Sequence, residues 1–266
     1  MALQRLASPG LRIFLTGAGI SAESGIPTFR GKEGYWTVGA QEYHPQELAT
    51  HQAFTRMPYE VWAWYLYRRA VCRAAQPNGG HLELVAAERL LGDQFLLVTQ
   101  NVDGLHLRAG NSPARTFEVH GNIDYFRCAD HCTSERFPLG EGFLPFAKGQ
   151  KVTPEQQALL VCPRCGGLAR PHVLWFDECY NEEFYRFDSS RAAAAKTMSL
   201  VSVGTSGNTN LPMQMGMIAA QRGAFLVDIN PDSNPFSELA LQQGGRWLRE
   251  SASTGLLQVV RAIQGG

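Results

Sequence analysis

Thr16-Gly17-Ala18-Gly19-Ile20-Ser21-Ala22-Glu23-Ser24-Gly25-Ile26-Pro27-Thr28-Phe29-Arg30 follows directly on a largely apolar run, Leu11 to Leu15. Glycines at 17 and 19 let the backbone turn sharply and bring a phosphate close to its N–H groups. Ser21, small and polar, suits the start of a helix whose positive end favours an anion. Strand, glycine turn and helix together make the phosphate cradle of a dinucleotide-binding fold. The spacing is G-A-G-I-S rather than G-x-G-x-x-G, and a plain tight turn from strand to helix reads the same way. The segments downstream discriminate between the two.

Other apolar runs end in the same fashion. Phe95 to Thr99 leads into Gln100-Asn101, Leu200 to Val203 into Gly204-Thr205-Ser206, and Phe225 to Ile229 into Asn230-Pro231. Helical segments such as Gly80 to Leu91 and Met213 to Gln221 lie between them. Near-continuous apolar strands alternating with helices predict a parallel sheet covered on both faces. In such sheets ligands bind beyond the carboxyl ends of the strands, where these polar turns fall. Two stretches break the alternation. Residues 31–76 are aromatic-rich and include the helix-like run Tyr59 to Ala74, and residues 126–170 carry paired cysteines among Gly and Pro. The predicted class is α/β: a Rossmann-like parallel-sheet domain (1–30, 77–125 and 171–266) with a smaller inserted lobe (31–76 and 126–170). A cleft between the two is a common place for a substrate.

With 266 residues the chain can build one large core, or one domain with an insertion. Hydrophobic residues at 44% and charged residues at 18% match a globular protein in water. Lys+Arg and Asp+Glu both number 24, so no net charge draws the chain to nucleic acid or to an acidic membrane. No apolar run is long enough to span a bilayer. Met1 to Gly10 lacks the basic start, apolar stretch and cleavage site of a signal peptide. The expected location is cytoplasmic and reducing.

Six cysteines in a chain of this size are no disulfide scaffold. Cys72 reads as a small core residue, and Cys179 has no partner near it in sequence. Cys128 with Cys132 and Cys162 with Cys165 form two close pairs, 29 residues apart. This resembles a zinc ribbon, in which each knuckle supplies two ligands to a tetrahedral Zn²⁺. Cys162-Pro163-Arg164-Cys165-Gly166-Gly167 is a good knuckle, since its glycines permit a turn that aims N–H groups at sulfur. The first pair is looser, and His131 is an alternative ligand to Cys132. Two pairs of buried thiols would read the same way. A metal with four filled positions holds a lobe together and does no chemistry.

Gln100-Asn101-Val102-Asp103 stands at the end of a buried strand, as a capped loop or as amides and carboxylates that grip a ribose and a carboxamide. His120, before Gly121, is either a satisfied structural residue or a general base, since its pKa lies near neutrality.

Taken together, these motifs resemble the sirtuins, NAD-dependent protein-lysine deacylases, from about Leu11 to near the C-terminus. The match includes Gly17-Ala18-Gly19-Ile20-Ser21, Gly25-Ile26-Pro27-Thr28-Phe29-Arg30, Thr99-Gln100-Asn101-Val102-Asp103, His120-Gly121, the cysteine pairs, Arg170-Pro171-His172-Val173, Gly204-Thr205-Ser206 and Asn230. Gly34-Tyr35-Trp36 and Tyr65-Leu66-Tyr67-Arg68 look like the branch, class III, that removes succinyl and malonyl groups. Tyr65 and Arg68 are three apart on a predicted helix and share a face. An Arg fork binds a carboxylate through two charge-assisted hydrogen bonds, and a Tyr hydroxyl adds a third. An ordinary amphipathic helix, Tyr inside and Arg outside, is the competing reading.

The resemblance implies NAD and zinc as cofactors and acylated lysine side chains of proteins as partners, with no nucleic acid and no membrane. NAD would lie over Gly17, Ala18, Gly19 and Ser21. Gly204, Thr205, Ser206 and Asn230 would reach its phosphates and adenosine, with Ala252 near the adenine. Thr28, Phe29, Arg30 and Trp36 belong to the covering region. Gln100, Asn101, Val102 and Asp103 would face the nicotinamide ribose and carboxamide, with Asn101 and His120 as the catalytic pair and His120 as general base. Tyr65 and Arg68 would hold the acyl group, and the peptide would pair with Val173, Trp175 and Phe176 as an added strand. Plain deacetylation, ADP-ribosyl transfer or NAD hydrolysis are the alternative activities, and a non-enzymatic NAD sensor is a further one. Three features depart from the family. Asp177 stands where Gly is usual and is expected either to narrow the peptide groove or to change its backbone angles. Residues 207–212 are unusually polar. Three residues separate Cys128 from Cys132.

Overall fold

Arg12–Thr16 forms β1, buried along its whole length. Its side chains serve two cores. Phe14 packs with Phe95, Leu97, Val201 and Val227, whereas Ile13 and Leu15 pack with Leu96, Val98, Leu200 and Leu226. Successive side chains of a strand point to opposite faces, so a strand covered on both sides is apolar throughout. The structure is a computed structural model and describes residues 2–27, 36–38 and 41–265.

β2 (Trp36–Val38) and β3 (Gln41–Tyr43) pair antiparallel. The main sheet takes up β1, β4 (Phe95–Thr99), β5 (Thr116–Glu118), β9 (Ser199–Val203), β10 (Phe225–Ile229) and β11 (Arg246–Leu248). Its order is β11-β10-β9-β1-β4-β5, and every pairing is parallel. Renumbered within the sheet, this is 6-5-4-1-2-3, the doubly wound order, whose direction of winding reverses between β1 and β9. The crevice of such a sheet opens beyond those two carboxyl ends. Helices Gly79–Leu91 and Ala252–Gln264 cover the Phe14 face, through Leu84, Ala87, Leu256 and Val259. Helices Asn210–Gln221 and Pro235–Gln242 cover the other, through Leu211, Met215, Phe236 and Ala240. The four predicted strands are all present. The two edge strands, of three residues each, were too short to announce themselves.

At the crevice two turns touch. Gly17 N–H donates to the Val203 carbonyl (3.0 Å) and Gly19 N–H to the Gly204 carbonyl (2.8 Å). A Cβ on Gly19 would lie 2.7 Å from the Gly204 backbone, and Gly204 itself holds φ +58°. These glycines therefore admit a neighbouring turn, and both amides are spent on it rather than left for a phosphate. Ala18–Ser24 winds as a 3₁₀ helix with Gly17 at its N-cap. Ser21 thus lies inside the helix, and is buried, rather than at its start.

A third core belongs to an antiparallel sheet of β6 (Gly121–Cys128), β7 (Phe137–Pro138) and β8 (Ala169–Val173), in the order β7-β6-β8. Helix Pro58–Ala74 packs on it through Trp62, Tyr65 and Leu66, against Ile123, Phe126, Val173 and Trp175. The Trp62 indole N–H donates to the Ala169 carbonyl at 2.9 Å. Gly121 opens β6 at φ +85°, where a Cβ would fall 2.1 Å from the His172 oxygen. That close approach brings His120 to the junction of the two sheets, with its carbonyl accepting from Leu174 N–H at 2.9 Å. No helix among the described residues is long and apolar enough to cross a membrane.

Candidate active site

The polar residues that follow β1, β4 and β9 meet at the switch point. The Ser21 hydroxyl donates to Asp103 Oδ2 (2.7 Å) and accepts from Asn101 Nδ2 (3.1 Å). Asp103 Oδ1 accepts from the Leu105 amide at 2.9 Å. All three side chains are buried. Burial raises the Asp103 carboxyl above the usual carboxylate range, while the Ser21 and Leu105 bonds and the Arg108 and Arg68 guanidiniums pull it back. Gln100 ties the strands together: its Nε2 donates to Thr205 Oγ1 (2.9 Å) and its Oε1 accepts from Thr209 Oγ1 (2.7 Å). Asn230 Nδ2 donates to the Thr205 carbonyl at 3.0 Å. Ala18 and Gly19 are half-buried, Ser206 is exposed, and the Val102 carbonyl accepts from the Ile123 amide (2.9 Å). Ala252 is buried at the head of the last helix, beside Gly80 and Ile20. Thr28, Phe29 and Arg30 lie outside the described residues, as does the side chain of Trp36.

His120 is half-buried, and both of its ring nitrogens are engaged. Nδ1 lies 2.9 Å from the Gln100 carbonyl and Nε2 lies 2.7 Å from the Tyr180 hydroxyl. A carbonyl only accepts, so Nδ1 carries the proton and Nε2 presents its lone pair to the Tyr180 O–H. Burial draws the imidazole pKa down to about 4, against the pull of the Gln100 carbonyl, so the ring is neutral at physiological pH. A neutral, tautomerically fixed imidazole at a strand end is the form a general base requires. Tyr180 was not anticipated; it stands in the polar run Asp177–Glu183, where no motif marks it.

Tyr65 and Arg68 are both buried, at 3% and 8% exposure, which removes the reading that leaves the arginine on the surface. The Tyr65 hydroxyl accepts from the Trp175 indole N–H (3.0 Å), and the Arg170 guanidinium lies 3.5 Å over the Trp175 ring. The Arg68 guanidinium lies 5.4 Å over the Trp64 ring, and its charge draws the Tyr65 phenol and the Asp103 carboxyl downward in pKa. Val173 is buried and Phe176 is exposed. Asp177 differs from expectation. Its oxygens accept from the His51 (2.7 Å) and Gln52 (3.1 Å) amides, at the start of helix His51–Arg56. A carboxylate satisfies the free donors of a helix N-terminus, so Asp177 turns toward that helix rather than into a groove.

The four paired cysteines converge, with all sulfur atoms within 4.8 Å of one another. Cys128 Sγ lies 3.7 Å from Cys165 Sγ, and Cys132 Sγ lies 3.6 Å from Cys162 Sγ. The Arg164 and Gly167 amides point at the sulfurs of Cys162 and Cys165, both at 3.4 Å. His131 stands apart, its ring against the Arg127 guanidinium (3.1 Å) and near Phe184. Cys132 rather than His131 completes the cluster, and an S₄ donor set suits Zn²⁺.

The profile described as Sir2 family matches residues 17–210. The chain belongs to the Sir2 family. Its Sir2 relatives extend over nearly the whole length. The NAD-dependent protein deacylase of Aquifex aeolicus is 40% identical over 249 residues, 93% of this chain and 92% of that protein. An NAD-dependent protein deacylase of Thermus thermophilus is 44% identical over 229 residues, 85% of this chain and 81% of that one. A crystal structure of a Sir2 homolog–NAD complex aligns with a TM-score of 0.81 at 34% identity, covering 99% of this chain and 93% of that chain. A Sir2 homologue in complex with 2′-O-acetyl ADP ribose aligns with a TM-score of 0.79 at 35% identity, over 99% and 95%.

Proposed function

We propose that this Sir2-family chain is an NAD-dependent protein-lysine deacylase that prefers acidic acyl groups, succinyl and malonyl. The residues at the switch point fit a dinucleotide: a glycine turn at the crevice mouth, and buried amide, hydroxyl and carboxylate groups at its floor. Bound NAD supplies a ribose carbon open to attack, with nicotinamide as leaving group. The turn Gly17 to Ser21 lets the nucleotide approach closely, its Gly17 and Gly19 amides already bonded to the Val203 and Gly204 carbonyls, and Gly204 to Ser206 and Asn230 hold it, with Ala252 nearby. Asn101 and Asp103, fixed by Ser21, orient the nicotinamide ribose and carboxamide. His120 takes the proton of a ribose hydroxyl at Nε2 and returns it as the acyl group leaves lysine. Holding nucleotide and acyl-lysine together removes much of the entropic barrier. The cysteine cluster holds a structural Zn²⁺ with no open position, so it shapes the lobe and takes no part in the chemistry.

The observation that carries the acidic preference is the burial of Arg68 together with Tyr65 on helix Pro58–Ala74. A guanidinium kept from water favours an anionic acyl end over a neutral one. Nicotinamide release with succinyl-lysine and acetyl-lysine peptides at matched NAD tests this. Faster release with the succinyl peptide is expected. Equal or faster release with the acetyl peptide makes the chain a plain deacetylase, and release without peptide makes it an NAD hydrolase.

A further inference from the structure

The connection that follows β8 is pinned residue by residue. Phe176 N–H donates to the Ala49 carbonyl (3.0 Å), and Asp177 accepts the His51 and Gln52 amides. Glu178 takes Trp175 N–H (3.0 Å) and Arg170 Nη2 (2.8 Å). Tyr180 ends this run on the His120 ring. Its own ring stacks on Phe187, with centroids 6.0 Å apart and planes 22° apart, and its hydroxyl reaches Nε2 at 2.7 Å. Nδ1 is committed to the Gln100 carbonyl. A neutral imidazole has one in-plane lone pair, on the unprotonated nitrogen. A ribose hydroxyl therefore cannot pass its proton to Nε2 while the phenol donates to it.

We propose that Tyr180 is a positioning residue that holds the His120 ring in the free protein and yields Nε2 to a hydroxyl of the bound nucleotide; this rests on reading His120 as the general base. Phe187 supports the tyrosine ring, so the hydroxyl can leave Nε2 by a small swing without loss of the aromatic contact. Burial raises the proton affinity of the phenol, which therefore remains a donor. Burial and the Gln100 carbonyl set the imidazole's own shift, and no charged side chain among the described residues enters it. The internal bond must break for nucleotide to engage the base, so it competes with binding.

Tyr180→Phe keeps the ring and its stacking on Phe187 and removes the competitor. The expected result, in the zinc-loaded protein without acyl peptide, is an NAD Kd about fivefold lower than wild type, the net worth of one neutral hydrogen bond. A merely structural role would weaken binding instead, so an unchanged or higher Kd overturns the proposal. A second measurement uses protein labelled with [15N]histidine. The His120 Nε2 resonance should differ between wild type and Tyr180→Phe without NAD and coincide at saturating NAD. Identical resonances in the free proteins also overturn it. Failure of the underlying reading looks different: His120→Ala would then keep its turnover, whatever Tyr180 does.

Discussion

The parallel sheet and the antiparallel lobe secure their polar residues in opposite ways. Strands of the parallel sheet bury both faces and release polar groups at their carboxyl ends, where Asn101, Asp103 and His120 stand on rigid backbone. The lobe has three antiparallel strands, of eight, two and five residues, and polar side chains stitch its interior. Trp175 bonds Tyr65, Arg69 bonds Asp124 (2.8 Å) and the Leu139 carbonyl (2.8 Å), Arg170 bonds Glu178, and four cysteines close one end. Burial of apolar area, which is non-directional, holds both regions. In the second it is joined by directional pairs, each strongly destabilising if half removed. In the proposed function, reaction chemistry sits on the robust half and acyl recognition on the half that depends on a metal and on paired charges.

The largest effect is expected on the robust side. His120→Ala should lower kcat by about a thousandfold, the usual worth of a general base, with circular dichroism and melting temperature unchanged. Near-normal turnover would remove His120 from the chemistry. Next, stripping zinc with a chelator should abolish deacylation and lower the melting temperature by about 10 °C, while far-ultraviolet dichroism keeps most of its helical signal. Simultaneous loss of the whole signal would show that the two regions do not differ as described. Arg68→Met should cut kcat/KM for a succinyl peptide by about 10- to 100-fold, the value of a charge-assisted pair, and leave an acetyl peptide within about threefold. An equal loss on both peptides would make Arg68 a structural residue of the lobe.

Two smaller effects sharpen the contrast. His81, wholly buried against His106 on the sheet side, has its pKa drawn down to about 4 by burial. The folded value lies below the unfolded one near 6.5. Its contribution is therefore complete above pH 6.5 and is lost as pH falls toward 4. Between pH 7 and 5 this amounts to about 2 kcal/mol. Denaturant melts should show wild type losing more stability over that interval than His81→Gln; equal losses would acquit the histidine. On the lobe side, Asp177→Gly removes the carboxylate from the start of helix His51–Arg56. It should cost about 1 kcal/mol and about 3 °C in melting temperature. A rise in melting temperature would mean that the side chain strains the segment.

Most of the parallel domain was legible because its signals are local. A five-residue apolar run such as Phe95–Thr99 reads as a strand wherever it lies, and the turn after it carries the polar groups. The cysteine pairs were legible for the same reason, since a knuckle is short and its sulfurs must converge. β5 and β11 escaped notice because three residues carry no period, and β11 is half exposed. Asp177 looked like an obstruction because its helix partners are about 125 residues away. Ser21 looked like a helix cap, and only the fold brought Asp103 and Asn101 to it, some 80 residues distant.

Taken alone, the order of apolar runs, polar turns and cysteine pairs determined the α/β class, the crevice side of the sheet and the candidate residues, because each of these depends on neighbours in the chain. Tertiary structure decided which hydrogen bonds those residues make. It assigned the fourth sulfur to Cys132, turned Asp177 to a helix, buried Arg68 and set the Tyr180 hydroxyl on Nε2 of His120. The reason is physical: a hydrogen bond is settled by tenths of an ångström and by angle, and packing across distant segments sets both.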